Sequence, residues 1–265
     1  MVIILTILAV VYLCALRGRT GHPLLPELGR WKYAHRGLHG NGVPENSMAA
    51  FRLALENGYG IELDVHLLAD GNLAVIHDDS LLRTAGVDVR IEDLTTEELS
   101  NYRLENTDEV IPTLPQVLKL FAGKAPLIVE LKPANGNHDV LTSKACKMLK
   151  AYDGLYCVES FDPRCIRWLK KHEPELVRGQ LAHNSLREGG KAPFLLRFLM
   201  TNLLSNFWNS PDFIAYQFSD RNRLSVRIAR KFWKIQGVTW TLKTQKNFDT
   251  AIEEKWIPIF EGFRP

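Results

Sequence analysis

The chain opens on an unbroken apolar run from Met1 to Leu16, softened only by Thr6 and Tyr12 and followed at once by Arg17 and Arg19. From Trp31 onward short β-like apolar runs alternate with amphipathic stretches. Strands are predicted at Tyr33-Ala34 and near 60–67, 73–77, 126–132, 155–160, 177–182, 212–217, 238–242 and 257–260. Asn46 caps a helix running through Asn57, apolar at Met48, Phe51 and Leu55 and stopped by Gly58. Thr113-Leu114-Pro115 starts another, and further helices are predicted near 138–151, 163–172, 192–207, 223–234 and 246–254.

Nine β-like runs exceed a barrel by one. The connection Ala69-Asp70-Gly71-Asn72 is too short for a parallel crossover, so runs 60–67 and 73–77 make a hairpin or extend one another. The remaining βα repeats predict an α/β fold, a TIM (β/α)8 barrel. Residues 78–112 hold only a short helix near Thr96–Tyr102 and are expected to be a small insertion, a lid between barrel elements.

The N-terminus divides the chain further. Residues 1–19 are expected to be an uncleaved membrane anchor, 20–30 a Pro/Gly-containing linker, and 31–265 the barrel. Sixteen apolar residues fall short of the ~20 that span a bilayer. A cleaved signal peptide would carry a basic start and a small-residue cleavage site, and neither is evident. The arginines on the C-terminal flank place the barrel on the cytoplasmic side. Ala192 to Trp208 is apolar nearly all round, with Arg197 its only charge. It is expected either to lie under loops or to rest on membrane lipid as an interfacial helix.

Composition narrows the class little. A formal charge of +3 in 265 residues gives no argument for nucleic acid. The four cysteines show neither zinc-ligand spacing nor a CxxC pair, which speaks for reduced thiols.

The chemistry is concentrated early. In Gly60-Ile61-Glu62-Leu63-Asp64-Val65-His66 polar and apolar residues alternate, so Glu62 and Asp64 share a strand face, with His66 free to join them. Two carboxylates on one wall repel unless a cation lies between them, and hard oxygen ligands suit Mg²⁺ or Ca²⁺. A solvated strand face is the alternative, but strands of a parallel sheet are buried and apolar. Glu130 at the end of the run 126–132 offers a third ligand, and Lys132 follows on the same face. His35 and His77 each close a β-like run. Histidine moves protons near neutral pH, so one can act as base and the other as acid across a phosphodiester. Arg36 can grip phosphate oxygens bidentately, and Lys132 adds a point charge.

Six motifs in order, His35-Arg36-Gly37, Pro44-Glu45-Asn46, Glu62/Asp64, His77-Asp78, Glu130-Leu131-Lys132 and Val238-Thr239-Trp240-Thr241, make the chain resemble the glycerophosphodiester phosphodiesterase family. The resemblance runs from about Lys32 to Trp240. It implies a TIM barrel that hydrolyses glycerophosphodiesters, or lysophospholipid-like substrates, to a glycerol phosphate and an alcohol. It also implies a divalent cation held by Glu62, Asp64 and Glu130, and His35 and His77 as the acid/base pair. Arg36 and Lys132 would hold the phosphate, with Phe161 and Trp240 lining the pocket. The end of the chain departs from the pattern: an aspartate-containing strand and turn is common there, and this chain reads Ile259-Phe260-Glu261-Gly262-Phe263-Arg264-Pro265. A phospholipase C-like barrel and a membrane-tethered binding protein without turnover are the alternatives.

Overall fold

The computed structural model describes residues 1–189 and 192–265. Nine strands form one sheet: β1 (Tyr33–His35), β2 (Gly60–Leu67), β3 (Leu73–Val75), β4 (Leu127–Leu131), β5 (Tyr156–Ser160), β6 (Arg178–Ala182), β7 (Phe213–Gln217), β8 (Gln236–Leu242) and β9 (Trp256–Phe260). Eight of them are parallel, and β1 pairs with both β2 and β9, so the sheet closes into a barrel. β3 is the exception. It runs antiparallel to the far end of β2, pairing Val65 with Val75, and is the hairpin arm expected from the short connection.

Period-two alternation decides which side chains enter the barrel. Ile61, Leu63, Val65, Leu127 and Val129 point outward into the shell of helices and share one apolar cluster with Phe51, Val117 and Leu141. Tyr33, Ile128, Cys157, Phe213, Val238 and Ile257 fill the interior as a second cluster. The interior is tight: a Cβ built on Gly179 would lie 2.0 Å from the Phe213 ring, so this strand position needs a residue without a side chain. Leu28 closes the barrel floor, where Tyr33 donates a hydrogen bond from its hydroxyl to the Leu28 carbonyl at 2.9 Å.

Residues 20–30, expected as a linker, therefore pack against the floor. Arg19 pairs with the Asp212 carboxylate, and His22 Nε2 lies 2.9 Å from the Glu175 carbonyl. The insertion builds a third apolar cluster of its own from Leu81, Ile91, Leu94, Leu99 and Leu104 under Ala74 and Ile76. The short helix predicted there is a 3₁₀ turn, Glu98–Asn101. The predicted helix 192–207 is split into Phe194–Thr201 and Asn206–Asn209 by Leu203, a buried residue at φ 58°. Helix 223–234 becomes an α-turn, Leu224–Arg227, continued by a π-turn, Ile228–Phe232.

The membrane-spanning anchor is not borne out. Val2–Ala15 is a 14-residue helix, about 21 Å long at 1.5 Å per residue, against a hydrocarbon core of ~30 Å. Among the described residues no helix is long and apolar enough to cross a membrane. The cytoplasmic placement derived from such a span falls with it. The helix instead leaves the barrel from its C-terminal end, where Leu16 is buried and Trp233 donates Nε1–H to the Leu13 carbonyl at 2.7 Å.

Candidate active site

The barrel brings the expected residues to the C-terminal ends of its strands. His35 ends β1 and lies in register with Glu62 of β2, while Asp64, Glu130 and Glu159 are register partners across β2, β4 and β5. Glu62 and Asp64 looked mid-strand in the sequence because β2 continues past the barrel as the hairpin arm. Its pairing with β4 stops at Val65, one residue after Asp64. His66 is not among the converging ligands and is tied to the insertion, with Nδ1 2.8 Å from Glu92 Oε1.

One ligand atom from each of Glu62, Asp64 and Glu130 lies within 4.8 Å of the others, and all three residues are buried. Lys132 Nζ stands 2.7 Å from Glu130 Oε1 and 3.1 Å from Asp64 Oδ1. Asn46 donates Nδ2–H to Asp64 Oδ2 at 2.8 Å, and the Arg36 backbone N–H donates to Glu62 at 3.1 Å. Arg36 adopts φ 53°, which turns its amide toward Glu62 and brings Nε within 3.4 Å of Asp64. Its Nη1 donates to Glu45 at 3.0 Å.

The electrostatics show the strain of this packing. Burial, with Asp64 and Glu130 alongside, pushes the Glu62 carboxyl well above its ordinary range. Burial pushes Glu130 up to about 7 even with Lys132 beside it. Burial alone would raise Asp64 too, but Lys132, His77, Arg36 and the Asn46 hydrogen bond hold it down. Glu159 is a fourth carboxylate that the sequence reading passed over. It is driven well up by burial and by Glu130 and Asp64, and its Oε2 has no hydrogen-bond partner. The available signal was its alternation with Val158, the same pattern that marked Glu130.

Asp64 Oδ1 and Glu130 Oε1 have the Lys132 ammonium as their one close partner. Three buried carboxylates converging on one point, with a single ammonium among them, fit a hard divalent cation. Without a cation there, Lys132 and Arg36 offset only part of the repulsion and the rest favours protonated carboxyls.

The two histidines are built alike. His35 donates Nδ1–H to Glu261 at 2.6 Å, and His77 donates Nδ1–H to Asp78 at 2.6 Å. Each carboxylate fixes the tautomer and leaves Nε2 free. Burial lowers both imidazoles from their ordinary value, with Glu261 and Asp64 respectively opposing it. Glu261, just beyond β9, escaped the sequence reading and sits in the segment that departs from the family pattern. Asp78 is in turn held by Arg83 Nε at 2.6 Å, and Arg83 also donates to Glu45. Phe161 and Trp240 stand edge-to-face at 5.7 Å with His183 5.4 Å from Phe161. With Arg36, Lys132 and both catalytic candidates they line a cavity of about 220 Å³.

A barrel whose mouth presents two carboxylate-held imidazoles, a carboxylate cluster and two cationic side chains is a phosphoric diester hydrolase. The sequence profile of the glycerophosphoryl diester phosphodiesterase family matches residues 35–260, and this chain belongs to that family. A glycerophosphodiester phosphodiesterase of Caldanaerobacter subterraneus is 37 % identical over 165 residues, covering 58 % of this chain and 68 % of that protein. Glycerophosphodiester phosphodiesterase 1 of Rattus norvegicus is 31 % identical over 257 residues, covering 81 % and 73 %. Among solved structures, a phosphodiesterase of Oleispira antarctica in complex with the product sn-glycerol-3-phosphate superposes with TM-score 0.72 at 23 % identity, covering 87 % of this chain and 92 % of that one.

Proposed function

We propose that the protein hydrolyses glycerophosphodiesters to a glycerol phosphate and an alcohol, with His35 and His77 as the acid/base pair. The observation that carries this reading is the shared construction of the two histidines around one carboxylate cluster. One Nε2 takes the proton of the attacking oxygen and the other protonates the departing alkoxide. Arg36 and Lys132 bind the non-bridging phosphate oxygens as negative charge builds on them. Trp240 Nε1–H, buried and without a partner, is a donor left over for a substrate hydroxyl. Glu62, Asp64 and Glu130 would hold Mg²⁺ or Ca²⁺, which supplies Lewis-acid stabilisation of phosphate charge.

The Oleispira relative, bound to sn-glycerol-3-phosphate, supports the product assignment. The test is release of glycerol phosphate from a panel of glycerophosphodiesters, with and without a chelator. Activity that survives chelation, or in Glu130→Gln, sinks the metal assignment; diacylglycerol as product sinks the reaction.

A lysophospholipid is the second reading. Phe194, Leu195, Leu196 and Phe198 are exposed on the helix that follows the β6 loop, whose Glu188 lines the cavity. These side chains would accept the single acyl chain. Phe194→Glu with Leu195→Glu should then raise KM for lysophospholipids and leave glycerophosphodiesters unaffected; equal effects on both refute it.

A further inference from the structure

Behind the catalytic face of His35 lies a second group of potential ligands. One atom from each of His35, His39 and Glu261 lies within 4.8 Å of the others, and all three residues are partly exposed, so an ion from solvent can reach them. His39 Nε2 is buried without a hydrogen-bond partner. This donor set is two imidazoles and one carboxylate, against three carboxylates at the barrel centre. Mg²⁺ and Ca²⁺ prefer the all-oxygen set, and imidazole suits zinc.

We propose that His35, His39 and Glu261 form an inhibitory site for Zn²⁺, separate from the carboxylate cluster and acting by capture of the His35 ring. The inference rests on the proton-transfer role given to His35 above. Zn–N and Zn–O bonds of roughly 2.0–2.2 Å place tetrahedral ligands about 3.4 Å apart. The three groups close onto an ion with small shifts, and solvent takes the fourth position. In the free protein Nδ1 of His35 carries the proton and donates it to Glu261. Zinc on Nδ1 takes the lone pair exposed when that proton leaves. The proton returns through solvent to Nε2, and the ring stays neutral. His35 then presents N–H toward the substrate where it had presented a lone pair, so it can no longer accept a proton. Lys243 Nζ, 3.0 Å from Glu261 Oε1 and mostly exposed, competes with the ion for that carboxylate.

The experiment is equilibrium dialysis of the full chain against Zn²⁺ in saturating Mg²⁺, with hydrolysis measured in the same solutions. Expected is one zinc per chain whose occupancy follows the loss of rate. His39→Ala, and His39→Gln as the conservative version, should keep the zinc-free rate. Each should need roughly tenfold or more zinc for binding and for inhibition. Lys243→Met should need less. Zinc binding unchanged in both His39 variants, or no zinc retained under saturating Mg²⁺, overturns the site. Binding that depends on His39 yet leaves the rate untouched refutes the inhibition and removes His35 from proton transfer, without touching the carboxylate cluster.

Discussion

Glu261→Gln isolates what the His35 partner contributes. The side chain keeps its shape and loses its charge, while His35 keeps its place on β1. The bond at stake is a 2.6 Å contact in which the two side chains are 14 % and 20 % exposed, short enough to be charge-assisted. Such bonds contribute about 1.5–3 kcal/mol, which at 1.36 kcal/mol per decade of rate is a loss of roughly 10–150-fold in kcat/KM. The pH profile should move as well. Burial lowers His35, and the Glu261 hydrogen bond opposes that. Removing the opposing partner lowers the imidazole further, so an acidic limb due to protonated His35 should shift to lower pH. Thermal unfolding should barely change, because the contact lies at the barrel mouth. The assay is steady-state hydrolysis of a glycerophosphodiester across pH at saturating metal. A variant within threefold of wild type, or an acidic limb that stays in place, would refute the orienting role.

His77→Ala should lower turnover by about 10²–10⁴-fold with metal binding retained, as measured by calorimetry; near-normal turnover would exclude it from proton transfer. Gly179→Ala forces a Cβ to within 2.0 Å of Phe213 and should cost about 1–3 kcal/mol in a urea titration; an unchanged midpoint would show that the interior can give. Arg83→Met should lower kcat while metal affinity holds, because Asp78 then keeps His77 without its own support. Asp78 is held down at about 2, against burial, by Arg83 and His77. Its carboxylate thus stabilises the fold above its unfolded value of about 4, and that stability is lost as pH falls through about 2. In Arg83→Met the acid loss should begin at higher pH, read by circular dichroism; coincident acid transitions would contradict it.

The residues legible in the sequence are those that local alternation places. Glu62, Asp64 and Glu130 each alternate with apolar neighbours, and a strand turns that alternation directly into a shared interior face. Glu261 was hidden because its partner lies 226 positions away and meets it only when β1 pairs with β9. Glu159 was hidden for a milder reason, since nothing local tells a fourth buried carboxylate from an exposed one. The break at Leu203 and the π-turn after Arg227 follow from tertiary packing, which overrides the helical pattern on either side. The N-terminal run misled because its apolar character and arginine flank were given more weight than its length, which already fell short of a span. Its helix ends at Ala15, and Leu16 is spent on the barrel wall.

The closure of β1 against β9 has a consequence for synthesis. A ribosome that has delivered every recognisable motif through Trp240 has made a chain whose His35 still lacks the Glu261 carboxylate and whose β1 has one free edge. On the role proposed for His35, catalytic competence would be withheld until the final strand emerges. A chain abandoned after Trp240 would carry the signature of the family without its activity.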